Sequence, residues 1–123
     1  MGVTGIGGFF FRAKDLQAIQ AWYVEHLGVG SLPYGQWETQ AGSSTFSPFA
    51  ADTGYFAADR QWMLNLRVVD LDGLVATLRA ADIAVATDPG WEMPGVGRFA
   101  RIHDPEGNPI ELWEPDQEPV QDA

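Results

Sequence analysis

The chain has no cysteine. Disulfides, thiolate catalysis and cysteine-ligated zinc are therefore excluded, and a cytoplasmic location is expected. Positive charge is scarce: seven Lys and Arg stand against 17 Asp and Glu, a formal net charge of −10. Such a chain repels nucleic acid and anionic membrane surfaces, so neither is an expected partner. Long apolar runs are missing as well. No stretch approaches the roughly 18 apolar residues of a membrane-spanning helix. The start MGVTGIGGFFFRAKD lacks a basic region followed by a long apolar run, so it does not read as a signal peptide.

What is present is an ordinary globular mixture, 46% hydrophobic and 20% charged, over 123 residues. That length suits a single domain over 1–123. The end of the chain, EPDQEPVQDA, is acidic and poor in apolar residues, which predicts a frayed tail over about 116–123. Five Trp and seven Phe are many for so short a chain.

The sequence contains an internal repeat. FFFRAKDLQAIQAWYVEHLGV, from Phe9, matches LNLRVVDLDGLVATLRAADIAV, from Leu64, with Asp15 and Asp70 in register 55 residues apart. Each copy runs from an alternating strand through Asp-Leu into an amphipathic helix. Asp15 and Asp70 are candidate N-caps, because a short carboxylate accepts from the free N–H groups of a helix start. Leu16, Ile19, Trp22, Tyr23 and Leu27 fall at helical spacing in the first copy. Leu71, Leu74, Val75 and Leu78 do so in the second. Gly28 is a plausible helix stop. Strand-like pieces follow at Tyr34–Thr39 and Ser44–Phe49, then at Ile83–Ala86, Arg98–His103 and Pro109–Trp113. Module one is expected over about 5–50, a linker over about 50–61 and module two over about 62–115. One module alone can scarcely cover its sheet face, so the two should form one domain.

Alternation along the strands separates two faces. Leu64, Leu66, Val68, Ala100, Ile102, Ile110 and Leu112 make one apolar face. The other is mixed: Met63, Asn65, Arg67, Phe99, Arg101, His103, Glu111 and Trp113. In the first strand Phe9, Phe11 and Ala13 alternate with Gly8, Phe10 and Arg12. A mixed face is either solvated or the floor of a ligand cleft, and its aromatics favour the cleft. Trp37, Tyr55, Phe56 and Trp91 can add walls from loops.

The turn DPEGN sharpens this. Pro105 suits the second position of a type I turn, and Gly107 the left-handed position of a G1-bulge hairpin. Counting outward puts His103 opposite Pro109, Ile102 opposite Ile110, Arg101 opposite Glu111 and Phe99 opposite Trp113. Arg101 and Glu111 then form an expected cross-strand ion pair. His26 reads as a surface residue near a helix end, and His103 as a hairpin-end residue. Arg12, Arg67 and Arg101 either hold an anionic ligand group or pair with local carboxylates.

The paired starts FFFRAKDL…WYVEHLG and LNLRVVDLDGLVATLRAADI, with GRFARIHDPEGNPIELWEP, resemble the glyoxalase/bleomycin resistance/extradiol dioxygenase group, the vicinal oxygen chelate superfamily. The resemblance covers about 5–115. It implies an α+β fold of two paired βαβββ modules forming a cupped mixed sheet, in a homodimer. It also implies four metal-ligand positions. These correspond to Gly8, Met63, a residue within Thr45–Ser47, and Glu111, and only Glu111 is of a suitable type. No metal or other cofactor is therefore expected. The implied partner is a small molecule. The implied function is either proton transfer of lyase or isomerase type with Glu111 as catalytic base, or non-catalytic antibiotic binding as in bleomycin resistance proteins. Ligand-binding candidates are Phe10, Arg12, Met63, Asn65, Arg67, Phe99, Arg101 and Trp113.

Overall fold

A computed structural model describes residues 1–31 and 35–116 of the chain. Tyr34 and nearly all of the expected acidic tail lie outside the described residues. The protein is a small α+β unit with a mixed, open, three-stranded sheet. In chain order come α1 (Leu16–Leu27), β1 (Leu64–Arg67), α2 (Leu71–Ala80), a 3-10 turn at Pro89–Trp91, β2 (Gly97–His103) and β3 (Pro109–Pro115).

Both helices begin where the Asp-Leu repeat predicts. Asp15 accepts from the Ala18 N–H at 3.1 Å, and Asp70 from the Gly73 N–H at 3.1 Å. Asp70 takes a left-handed backbone, φ 53°, which Asp tolerates better than most side chains. The first helix ends at Gly28, whose N–H returns to the Val24 carbonyl. Leu71, Val75 and Leu78 turn inward from α2, and Ile19 and Tyr23 from α1. Leu16, expected on the inner face, is exposed.

The sheet order is β1-β3-β2, with β3 parallel to β1 and antiparallel to β2. The central position of β3 explains its burial on both sides. Ile102, Ile110 and Leu112 are fully buried and form the core with Leu66, Ala100 and the inner helix residues. The apolar face of the strands is thus the one under the helices, as alternation requires.

The hairpin register is the one counted from DPEGN: His103 faces Pro109, Ile102 Ile110, Arg101 Glu111, and Phe99 Trp113. Gly107 has φ 81°, the left-handed geometry that a side chain resists and this bulge demands. Asp104 is buried at the centre of the turn. Its Oδ1 accepts from the Glu106 and Asn108 N–H groups at 2.9 and 3.0 Å. Its Oδ2 accepts from the Asn108 amide and from the Tyr23 hydroxyl, both at 2.7 Å. Burial and the Asp104 carboxylate hold the Tyr23 hydroxyl far above its ordinary pKa, so it stays a donor. The Glu106 carboxylate accepts from Lys14 N–H at 2.7 Å and Asp15 N–H at 3.0 Å, which anchors the entry to α1.

The first half departs from the repeat. Among the described residues, no strand forms over Gly8–Ala13, 35–39 or Ser44–Phe49. These segments have no neighbouring strand among the described residues, so their backbone enters no ladder and their side chains stay largely exposed. Phe9 and Phe11 do turn one way, packing on Trp62 at 4.7 and 5.5 Å, as their alternation implies. Ile83–Ala86 is reduced to a single bridge between Ala86 and Arg101.

Replacing Asp104 with Ala leaves the Tyr23 hydroxyl and the turn amides without their acceptor. Chemical denaturation should show a loss of about 3 kcal/mol. Glu106→Ala should cost less, about 1 kcal/mol, and should speed amide exchange at Lys14 and Asp15 specifically.

Candidate functional site

Because β3 is central, its outward residues Glu111 and Trp113 each have a neighbour on both sides. Asn65, Glu111 and Arg101 form one row across the mixed face. Arg67, Trp113 and Phe99 form the next. The topology therefore gathers six of the expected site residues on one surface.

Glu111 is only 8% exposed, and a buried carboxylate needs donors. It has two. Asn65 Nδ2 donates to Oε1 at 2.8 Å, and the Tyr55 hydroxyl donates to Oε2. Tyr55 comes from the linker, which crosses the face at this point. Burial, then the Glu111 carboxylate, push the Tyr55 hydroxyl up to about 12, so it remains protonated at neutral pH.

The ion pair expected between Arg101 and Glu111 is not formed, although the two residues do face each other. Arg101 Nη1 donates instead to the Tyr55 carbonyl at 3.1 Å, and its Cζ lies 4.8 Å from the Tyr55 ring and 6.0 Å from the Trp91 ring. A long guanidinium extends past the residue opposite it and settles on aromatic faces, where cation–π attraction holds it. Arg101 Nε is buried with no acceptor among the described residues. Phe49 stacks on Tyr55, with centroids 5.5 Å apart and planes 14° apart. Phe56 meets Phe49 edge-on at 5.7 Å.

Among the described residues, Arg67 forms no salt bridge with a carboxylate. It donates to the carbonyls of Gln40 at 2.7 Å and Ser43 at 3.1 Å. The loop can come this close because Gly42 has no Cβ, and one there would collide with the guanidinium. Trp113 donates its indole N–H to the Val96 carbonyl at 2.9 Å. Met63 is half-buried directly before β1. Phe10 and Arg12 are not drawn into the site: both are exposed on the segment before α1, and Phe10 is 91% exposed. His103 is exposed at the hairpin end, and partial desolvation with the nearby Arg101 charge lowers its imidazole pKa.

A groove of about 310 Å³ lies elsewhere, between α2 and residues 87–92. Arg98 sits in it, hydrogen-bonded to Asp72 at 2.6 Å. Phe99 reaches that groove from the edge of the sheet.

At three of the four positions that the resemblance implies for a metal, the residues do not suit one. Gly8 has no donor atom, Met63 offers only a thioether, and both Glu111 oxygens already accept hydrogen bonds. Among the described residues, no group of three or more His, Asp and Glu side chains could hold one.

No protein-family model matches the chain, and no curated protein does. Solved structures do. TnmS3, an antibiotic binding protein from Streptomyces sp. CB03234, superposes with a TM-score of 0.60 at 24% identity, over 94% of this chain and 99% of that one. A glyoxalase/bleomycin resistance protein from the same organism superposes with a TM-score of 0.50 at 27% identity, over 82% of this chain and 92% of that one. The chain has the fold of the glyoxalase/bleomycin resistance superfamily. Within that fold, the Glu111 row brings a carboxylate, an amide, a phenol and a guanidinium together on the mixed face.

Strand alternation puts Glu111, Asn65 and Arg101 on one face but says nothing of where Tyr55 lies. The cluster of Phe49, Tyr55 and Phe56 in a loop was the available signal. The raised Tyr55 pKa has a consequence that can be measured. Phenolate absorbance of wild type minus Tyr55→Phe should titrate near pH 12 rather than near the ordinary value of about 10. A pKa raised on folding stabilises the neutral form. The Tyr55 contribution is therefore complete below about pH 10 and is lost as pH rises towards 12.

Proposed function

We propose that this protein binds a small organic molecule on the mixed face of its sheet and holds it without converting it. The observation that carries this reading is the state of Glu111. Its carboxylate is buried and satisfied by Tyr55 and Asn65, among stacked aromatic rings and an arginine. Aromatic walls with a few convergent polar groups suit a planar ligand. The likeness to TnmS3, itself an antibiotic binding protein, supports an antibiotic-type ligand. Sequestration needs nothing beyond this surface.

Lyase- or isomerase-type proton transfer is the second reading, favoured by the burial of one carboxylate beside a tyrosine hydroxyl. Glu111 would be its base. A panel of aromatic antibiotics and small oxo-acids separates the two. A ligand present at about a hundredfold over its Kd should stabilise the fold by about 2.7 kcal/mol. Thermal shift should register this for an aromatic compound, and mass spectrometry should recover that compound unchanged. A product that is lost in Glu111→Ala would support the enzyme instead. Protein purified without chelator should carry no stoichiometric metal that Glu111→Ala removes.

The homodimer belongs to the same proposal. Phe10 and Phe46 are 91% and 93% exposed, and Val3, Ile6 and Phe49 are also exposed, all on first-half segments without strand partners. Exposed apolar side chains in this number suit an association site. A second copy offers the same unpaired segments in return, which a two-fold interface requires. Sedimentation should give twice the 13.5 kDa chain mass, and Phe10→Asp with Phe46→Asp should shift it towards the single chain.

A further inference from the structure

One residue of the chain already occupies the Glu111 row. Tyr55 gives its hydroxyl to the Glu111 carboxylate, lays its ring against the Arg101 guanidinium and receives the Phe49 ring on its other contacts. Its anchoring contrasts with that of the groups it touches. Glu111 and Arg101 stand on paired strands, held by ladder hydrogen bonds on both sides of β3. Tyr55 stands in a segment outside every helix and strand, tied locally by turn bonds such as Thr53 N–H to the Ala50 carbonyl. Most residues from 50 to 59 are exposed. Side chains on paired strands thus hold one from a loop, whose own link back to the sheet at this point is the Tyr55 carbonyl accepting from Arg101.

We propose that Tyr55 is an internal stand-in for the ligand, and that the ligand is a planar hydroxyaryl compound that displaces it. This inference rests on the binding reading above and names its ligand class. The chemistry of the row selects for such a compound. A carboxylate only accepts, so Glu111 requires a donor and rejects an ether or a second carboxylate at that point. The opposed charges of Arg101 and Glu111 leave the row neutral as a whole, which disfavours a simple anion. The guanidinium attracts an aromatic face. Once Tyr55 has moved, Arg101 Nε and the Nη1 released from the Tyr55 carbonyl can donate to a second oxygen on the ligand ring. Asn65 keeps its bond to Glu111 throughout and holds the carboxylate in place.

The test uses two probes with the same ring system, 2-naphthol and 2-methoxynaphthalene, of which only the first can donate. They are titrated calorimetrically into wild type, Tyr55→Phe and Glu111→Gln. Wild type should bind 2-naphthol about tenfold more tightly than the ether, the discrimination of one charge-assisted hydrogen bond. Tyr55→Phe should bind 2-naphthol tighter still, by about tenfold, because the competing hydroxyl is gone. Glu111→Gln should lose the preference for 2-naphthol over the ether. Equal binding of the two probes to wild type, or no gain in Tyr55→Phe, overturns displacement and leaves the broader binding reading standing. Failure of both probes to bind any variant overturns the hydroxyaryl assignment, while the compound panel decides the broader reading separately. Circular dichroism checks that Glu111→Gln is folded, and the wild-type and Tyr55→Phe comparisons stand without it.

Discussion

Asp104 is the group on which the geometry of this molecule turns. Its two carboxylate oxygens accept from two turn amides, from Asn108 and from the hydroxyl of Tyr23 on α1. The first three bonds fix the shape of the hairpin turn, and the fourth fastens the first-half helix to it. Arg60 completes the cluster through the Asn108 side chain and the Glu106 carbonyl. Because strand side chains alternate, a one-residue slip at this turn would carry Glu111 from the mixed face into the core. The register that places Glu111 opposite Arg101 is therefore set some distance from either residue.

The candidate surface follows from that constraint and from the sheet order. Placing β3 between β1 and β2 gives Glu111 an asparagine on one side and an arginine on the other. Neither neighbour alone satisfies the carboxylate, and the linker tyrosine supplies the second donor. The result is an aromatic-lined patch in which one carboxylate and one guanidinium offset each other in formal charge. A fold whose relatives are named for both glyoxalase and antibiotic-resistance activity can host either chemistry, so the reading of function has to come from this patch.

The two halves of the chain meet their neighbours differently. The second half closes a core within one chain and buries Ile102, Ile110 and Leu112 completely. The first half contributes α1, while its strand-like segments find no ladder among the described residues. Their alternation survives in the packing of Phe9 and Phe11 on Trp62, with Phe10 turned away. A repeated sequence thus produces unequal local structure, because a strand needs a partner and a helix needs only one covered face.

The sequence by itself determined whatever depends on short-range chemistry. The helix starts at Asp15 and Asp70, the bulged turn at Gly107, the inner and outer residues of β2 and β3, and the facing of Arg101 and Glu111 all follow from local periodicity and turn geometry. Tertiary structure decided what depends on segments distant in sequence. It chose Tyr55 and Asn65 over Arg101 as partners of Glu111, gave Arg67 to the carbonyls of a glycine-bearing loop, and left the first-half segments unpaired. The physical reason is reach. Alternation fixes the face on which a side chain emerges, but the partner of a long arginine or a loop tyrosine depends on where a segment distant in sequence crosses that face.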